Sequence, residues 1–152
     1  MAFTIQNVEW EKDKHRLKSL REHVFVLEWR VPEASEFDEH DSTACHVLVM
    51  NDNNEPIATG RLTQRGELGR IAVKRCHRTL PVYRALFEAL ISAAKQRKVP
   101  IIKVICNLES VSYHTSIGFI PDGQVFMDGG VPRQRLKCPA ERFPLPDVTQ
   151  LH

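Results

Sequence analysis

Apolar positions in this chain recur with two periods, and the change from one to the other marks out its elements. Val82, Leu86, Ala89, Leu90 and Ala93 fall three and four apart, so they share one face of a helix over 82–97. Lys95, Arg97 and Lys98 stand at its C-terminal end, where cations suit the helix dipole, and Pro100 stops it. Leu17, Leu20, Val24 and Leu27 have the same spacing and predict an earlier helix capped by Asp13. Phe3, Ile5 and Val8, with Trp10, predict a first strand. Residues 45–50 (CHVLVM) and 56–62 flank a turn run at 51–54 and read as a hairpin, and a turn at Gly66 leads into a strand over 68–73.

Residues 101–106 form a continuous apolar strand of the kind buried on both faces. A short helix over 109–117 is closed by Gly118 in the C′ position. Strands over 119–127 and 131–136 flank a tight turn at Asp128, Gly129 and Gly130. The order predicts an α/β protein with a mixed sheet of about six to seven strands flanked by helices. The helix over 82–97 is expected to be a right-handed crossover between parallel neighbours. Without repeats or linkers, residues 1–138 read as one domain, and 139–152, with Pro139, Pro144 and Pro146, as an irregular tail.

Charge narrows the function classes. A formal net charge of +2 over 152 residues, with no long basic run, argues against a nucleic-acid partner. No stretch approaches the roughly 18 apolar residues of a membrane span, and the N-terminus lacks a signal pattern, so a cytoplasmic protein is expected. Cys45, Cys76, Cys106 and Cys138 form no C-x-x-C pair, so neither a metal site nor a disulfide framework is expected. Cys45, Cys106 and Cys138 sit in apolar surroundings, while Cys76 lies beside His77 in a turn. The acidic concentration over 33–41 reads either as a solvated loop or as a wall that attracts a cationic substrate.

The segment over 73–90, VKRCHRTLPVYRALFEAL, passes from strand through turn into helix. A phosphate would sit there, against the unpaired N–H groups and the positive end of the helix. Thr79, Pro81 and Tyr83 occupy places where such turns use glycine.

Three stretches carry a family resemblance. Residues 24–49 keep Val24, Phe25, Val26, Glu28, Val31, Pro32, Phe37, Asp38, Glu39, Asp41 and His46 of a pattern close to V-F-V-x-E-Q-x-V-P, F-D-E-x-D and a following His. Residues 69–90 keep Gly69, Arg70, Ile71, Ala72, Val73, Arg78 and Leu86 of a G-R-[VI]-A-V … R-G-x-G pattern. Residues 112–119 keep Tyr113, Gly118 and Phe119 of F-Y-x-x-x-G-F. Over residues 3–137 the chain resembles the GNAT family of acyl-CoA-dependent N-acetyltransferases, in its small bacterial ElaA-like branch.

The resemblance implies the acyl-CoA N-acyltransferase fold and direct transfer of an acetyl group from acetyl-CoA to a primary amine of a small molecule or peptide. Tyr113 would then protonate the departing thiolate, and Glu67 would be the general base. The backbone of Ile71, Ala72 and Val73 would hold the pantetheine arm and thioester oxygen, and the run Arg78, Thr79, Leu80, Pro81, Val82, Tyr83 and Arg84 would face the pyrophosphate. Asp41 and His46 are rival bases and, with Glu28, candidates for the amine side. The alternative is a GNAT-fold binding or regulatory module with a degenerate pyrophosphate loop. A homodimer is the default expectation for the assembly.

Overall fold

The computed structural model describes residues 3–28 and 37–145. The matches at Val31 and Pro32, the start of the acidic run and the end of the tail lie outside them.

Strands β1 (Phe3–Val8), β2 (Cys45–Asn51), β3 (Pro56–Leu62) and β4 (Leu68–Val73) form an antiparallel sheet in chain order. Between β1 and β2 runs α1 (Trp10–Arg21), continued by a π-helical stretch over Glu22–Glu28. After β4 come α2 (Leu80–Gln96), β5 (Ile101–Asn107), α3 (Val111–Ser116), β6 (Ile120–Pro121), β7 (Phe126–Asp128) and β8 (Val131–Pro139). These four strands make a second antiparallel sheet in the order β5-β8-β6, with β7 also on β8.

The first sheet is covered on both faces, which explains the unbroken burial of β2. Cys45, Val47 and Val49 face α2 and pack with Val82, Leu86 and Leu90. Leu48 and Met50 point the other way, against Trp10, Leu17 and Leu20 of α1. The helix expected to start at a capping Asp13 begins three residues earlier. The N–H of Asp13 already donates to the Glu9 carbonyl at 3.0 Å, and its carboxylate pairs with Arg16 one turn on.

The second sheet differs from the expectation of a strand buried on both faces. Ile102 and Cys106 of β5 are buried, but Ile101 and Ile105 are 37% and 45% exposed. Helix α2 covers one face only, and the other carries Lys103, Arg135 and Lys137 by register. Chain continuity in the second half also departs from the pattern, since only 120–121 and 126–127 of the expected strand over 119–127 pair, and Asp128, expected in the turn, pairs as well. At the end of β8, the Ala140 N–H donates to the Pro100 carbonyl at 2.8 Å, and Phe143 stacks on Phe87.

The two sheets touch at one point. Glu67 and Lys103 form a single parallel bridge, and the Lys103 N–H donates to the Gly66 carbonyl at 2.8 Å. Gly66 has φ +86°, and a Cβ there would lie 2.4 Å from the Ile101 carbonyl oxygen. Only glycine allows this approach. Beyond the bridge β4 and β5 diverge, so the expected parallel neighbours pair at their N-terminal ends alone.

Candidate active site

Among the described residues, the divergence leaves one edge of β4 without a strand. Its pairing with β3 runs through Arg61↔Gly69 and Thr59↔Ala72, with one extra residue on the β4 side between them. This bulge holds Arg70 at φ +50°. A bulge bends its strand and strengthens its twist, which turns the end of β4 away from β5. Ile71, Ala72 and Val73 therefore border the gap. Ala72 and Val73 bury their side chains, Ala72 against Val24 and Phe25 of the π-helical stretch. What they offer the gap is backbone.

Past Val73 the chain makes a short 3-10 turn, Arg75–His77, and enters α2 at Leu80. Thr79 precedes the helix in extended conformation and makes no side-chain cap. The first turn thus has N–H groups to spare. Tyr83 donates to the Thr79 carbonyl at 3.1 Å, Pro81 has no N–H, and the N–H groups of Leu80 and Val82 have no acceptor among the described residues. Arg84, exposed in the same turn, has no acidic partner among them either.

Arg78 has a different task from the one its position suggested. Its Nε donates to the Val73 carbonyl at 3.0 Å, and its Nη2 donates to Glu28 at 2.7 Å. It joins the end of β4 to the end of the π-helical stretch. Glu28, expected at the amine side, is the other half of this pair. The Tyr83 ring turns inward, packed against the core rather than out to solvent. Burial pushes its phenol up, Arg78 draws it back and Glu28 adds to the rise.

Asp41 and His46 are interior residues, 2% and 1% exposed. Asp41 accepts from Arg21 at 2.7 Å and from Arg61 at 3.1 Å. Asp38 accepts from Arg61 at 2.7 Å, from Arg70 at 3.0 Å and from the His40 N–H at 2.9 Å. Burial alone would raise both carboxyls, but the arginine hydrogen bonds and charges outweigh it and hold both below their ordinary range. His46 donates from Nε2 to the Asp41 carbonyl at 2.8 Å and stacks on Trp10. Burial depresses its pKa, and Arg21 and Arg61 add to that against the pull of Asp41. These two residues are walled off from any amine. Asp38 and Asp41 of the acidic run are consumed in fixing the loop over 37–42, and Asp38 also holds Arg70 in the bulge.

Glu67 lies at the opposite end of β4, about 20 Å from Val73 at roughly 3.3 Å per residue. Its carboxylate is a third exposed, 3.9 Å from Arg135. Tyr113 stands on α3, 38% exposed, with its ring edge-on to His114. The structure thus brings Val73, Arg78, Glu28 and Tyr83 together at one end of the gap, while Glu67 stands at the other. Cys45, Cys106 and Cys138 are buried; burial raises their thiols, that of Cys138 to about 11.

Sequence reasoning missed Arg21 and Arg61. Their partners lie 20 to 23 positions away, so no local pattern announces them.

Residues 14–139 match the acetyltransferase (GNAT) domain. The N-acetyltransferase YjcF of Bacillus subtilis is 29% identical over 132 residues, covering 82% of this chain and 94% of that protein. An acyl-CoA N-acyltransferase from Pseudomonas aeruginosa superposes with a TM-score of 0.75 at 19% identity, over 90% of this chain and 99% of the other. Escherichia coli ElaA does so with 0.71 at 21%, over 90% and 99%. The chain belongs to the GNAT acetyltransferase family and has the acyl-CoA N-acyltransferase fold.

Proposed function

We propose that this GNAT acetyltransferase moves an acetyl group from acetyl-CoA to a primary amine by direct attack, with the donor lying along the free edge of β4. The observation that carries this reading is the pair of open N–H groups, Leu80 and Val82, beside the exposed Arg84 at the start of α2. A pyrophosphate there gains two backbone donors, the positive end of a helix and one guanidinium. Pro81 removes a third donor without harming the helix, since proline suits its first turn. Tyr83 leaves the two donors open because its ring packs inward.

From that anchor the pantetheine arm runs back along Val73, Ala72 and Ile71, whose outer edge no strand occupies. A backbone N–H of this segment meets the thioester oxygen as charge develops on it. The amine nitrogen forms a bond to the carbonyl carbon while the C–S bond breaks. The thiolate takes a proton from the Tyr113 hydroxyl, and the nitrogen gives one up to water or to Glu67, whose carboxylate reaches the open face of the second sheet. The acceptor binds on that open face rather than against Asp41 or His46.

Calorimetry with CoA, followed by an assay of thiol release in the presence of primary amines, tests the reading. Binding in the micromolar range and amine-dependent release are expected. No heat at millimolar CoA would overturn it.

A further inference from the structure

At the far end of α2, about 25 Å from its N-terminus for a helix of this length, an open cleft of about 600 Å³ lies below the bridge between the sheets. Four elements and a turn build it, and its charged lining is Arg65, Arg97, Lys98, Lys103, Lys137 and Asp122. Five cations against one carboxylate give the cleft +4. The whole chain carries +2, so the remainder of the molecule is at −2.

The helix dipole accounts for only part of this. Arg97 and Lys98 follow the last turn of α2, where carbonyls welcome cations. Arg65 comes from the β3–β4 turn, Lys103 from β5 and Lys137 from β8, and no helix end explains those. Lys103 and Lys137 are direct cross-strand partners. Like charges placed opposite each other destabilise a sheet. Asp122 approaches Lys137 at 4.0 Å, but Arg65, Arg97, Lys98 and Lys103 have no acidic partner among the described residues. By contrast, Arg21, Arg61, Arg70 and Arg78 are closely paired with carboxylates. These four cations are gathered in one concave place, where low-dielectric walls focus their field.

We propose that this cleft is a second binding site, for a small molecule carrying several phosphate charges. Its volume is in the range of small-molecule pockets, roughly 300–1,000 Å³. Val99, Pro100 and Ile101 give it an apolar floor, suited to an organic group attached to the phosphates. A long polyanion is disfavoured, because the remainder of the chain is at −2 and the next cations along the sheet face, Arg135 and Arg133, lie against Glu67 and Asp128. The site stands apart from the start of α2, so it does not depend on where the thioester binds.

Titration calorimetry with tripolyphosphate, on the full chain at low salt and again near physiological salt, tests this. One saturable site per chain is expected in the cleft, beside any binding at the start of α2 that Arg84→Ala removes, and it weakens as salt rises. In the double variant Arg65→Glu, Lys98→Glu, affinity should fall by at least about tenfold, which is about 1.4 kcal/mol. Arg84→Ala should leave it unchanged. The milder pair Arg65→Gln, Lys98→Gln should show a smaller loss with an unaltered melting curve, separating binding from folding. Retained binding in the charge-reversed variant, or loss in Arg84→Ala, would place the anion elsewhere and overturn the assignment. So would the absence of saturation at about 10 mM, or an oligonucleotide whose affinity grows with its length.

Discussion

Nη2 of Arg78 lies 2.7 Å from the Glu28 carboxylate, fifty positions away in the chain, while Nε of the same side chain holds the Val73 carbonyl. One guanidinium thus ties together the end of β4, the entry to α2 and the π-helical stretch behind Ala72. Both partners are only about a quarter exposed, so the pair keeps much of its strength. Glu28→Ala and Arg78→Ala should each cost about 1–3 kcal/mol, or roughly 2–10 °C in melting temperature for a domain of this size. In the double variant the costs should fall short of additive, as a thermal-melt double-mutant cycle will show.

Arg84 has no such duty. Arg84→Ala should weaken CoA binding by roughly 10- to 150-fold, the range for one charge-assisted contact, with the melting temperature nearly unchanged. Pro81→Ala restores a third N–H to the first turn and should tighten CoA by up to about tenfold. Calorimetry on the two variants reads both effects.

Tyr113→Phe removes a hydroxyl and little else. Turnover should fall by about 10²- to 10⁴-fold while CoA affinity stays near that of the parent. Unchanged steady-state turnover would remove Tyr113 from the reaction.

The buried cluster sets the behaviour in acid. His46 is held below its ordinary 6.5, mainly by burial, so the unfolded chain takes up that proton first as pH falls. Its contribution is complete above 6.5 and is lost as pH drops from there towards the folded value. Asp38 and Asp41, held below 3.8, add a second loss beneath that pH. Melting temperatures should therefore decline from about pH 6.5 downward, and His46→Gln should flatten the first part of the decline.

Asp41→Asn removes the buried carboxylate that Arg21, 1% exposed, and Arg61 share. Breaking a buried pair from one side costs about 3–5 kcal/mol, so this variant should be among the least stable single changes in the molecule. Urea denaturation measures it.

Much of this was legible in the chain because it is written locally. The three- and four-residue spacing over 82–97 marked α2, and its face followed, because helix burial obeys a single period. The turn run at 51–54 and Gly66 placed the strands on either side, and the motif residues around Ile71, Ala72 and Val73 indicated the strand that borders the gap. The run over 45–50 was also readable as strand, though the reason for its unbroken burial is that α1 and α2 cover both faces. The run over 101–106 looked the same and behaves otherwise, because nothing among the described residues covers its second face. Apolar content records what a strand can bury, not what arrives to bury it.

Periodicity, turn residues and motifs within short windows were enough to place most of the elements, their order and the family. Tertiary structure alone decided which charges are spent. Asp41, Glu28 and Arg78 looked available for chemistry, and folding brought arginines and carboxylates from 20 to 50 positions away to pair with them, while burial took His46 out of reach. The same folding left Arg65, Arg97, Lys98 and Lys103 together without partners at the other end of α2. Coulomb energy depends on distance in space, and no window along the chain contains that distance.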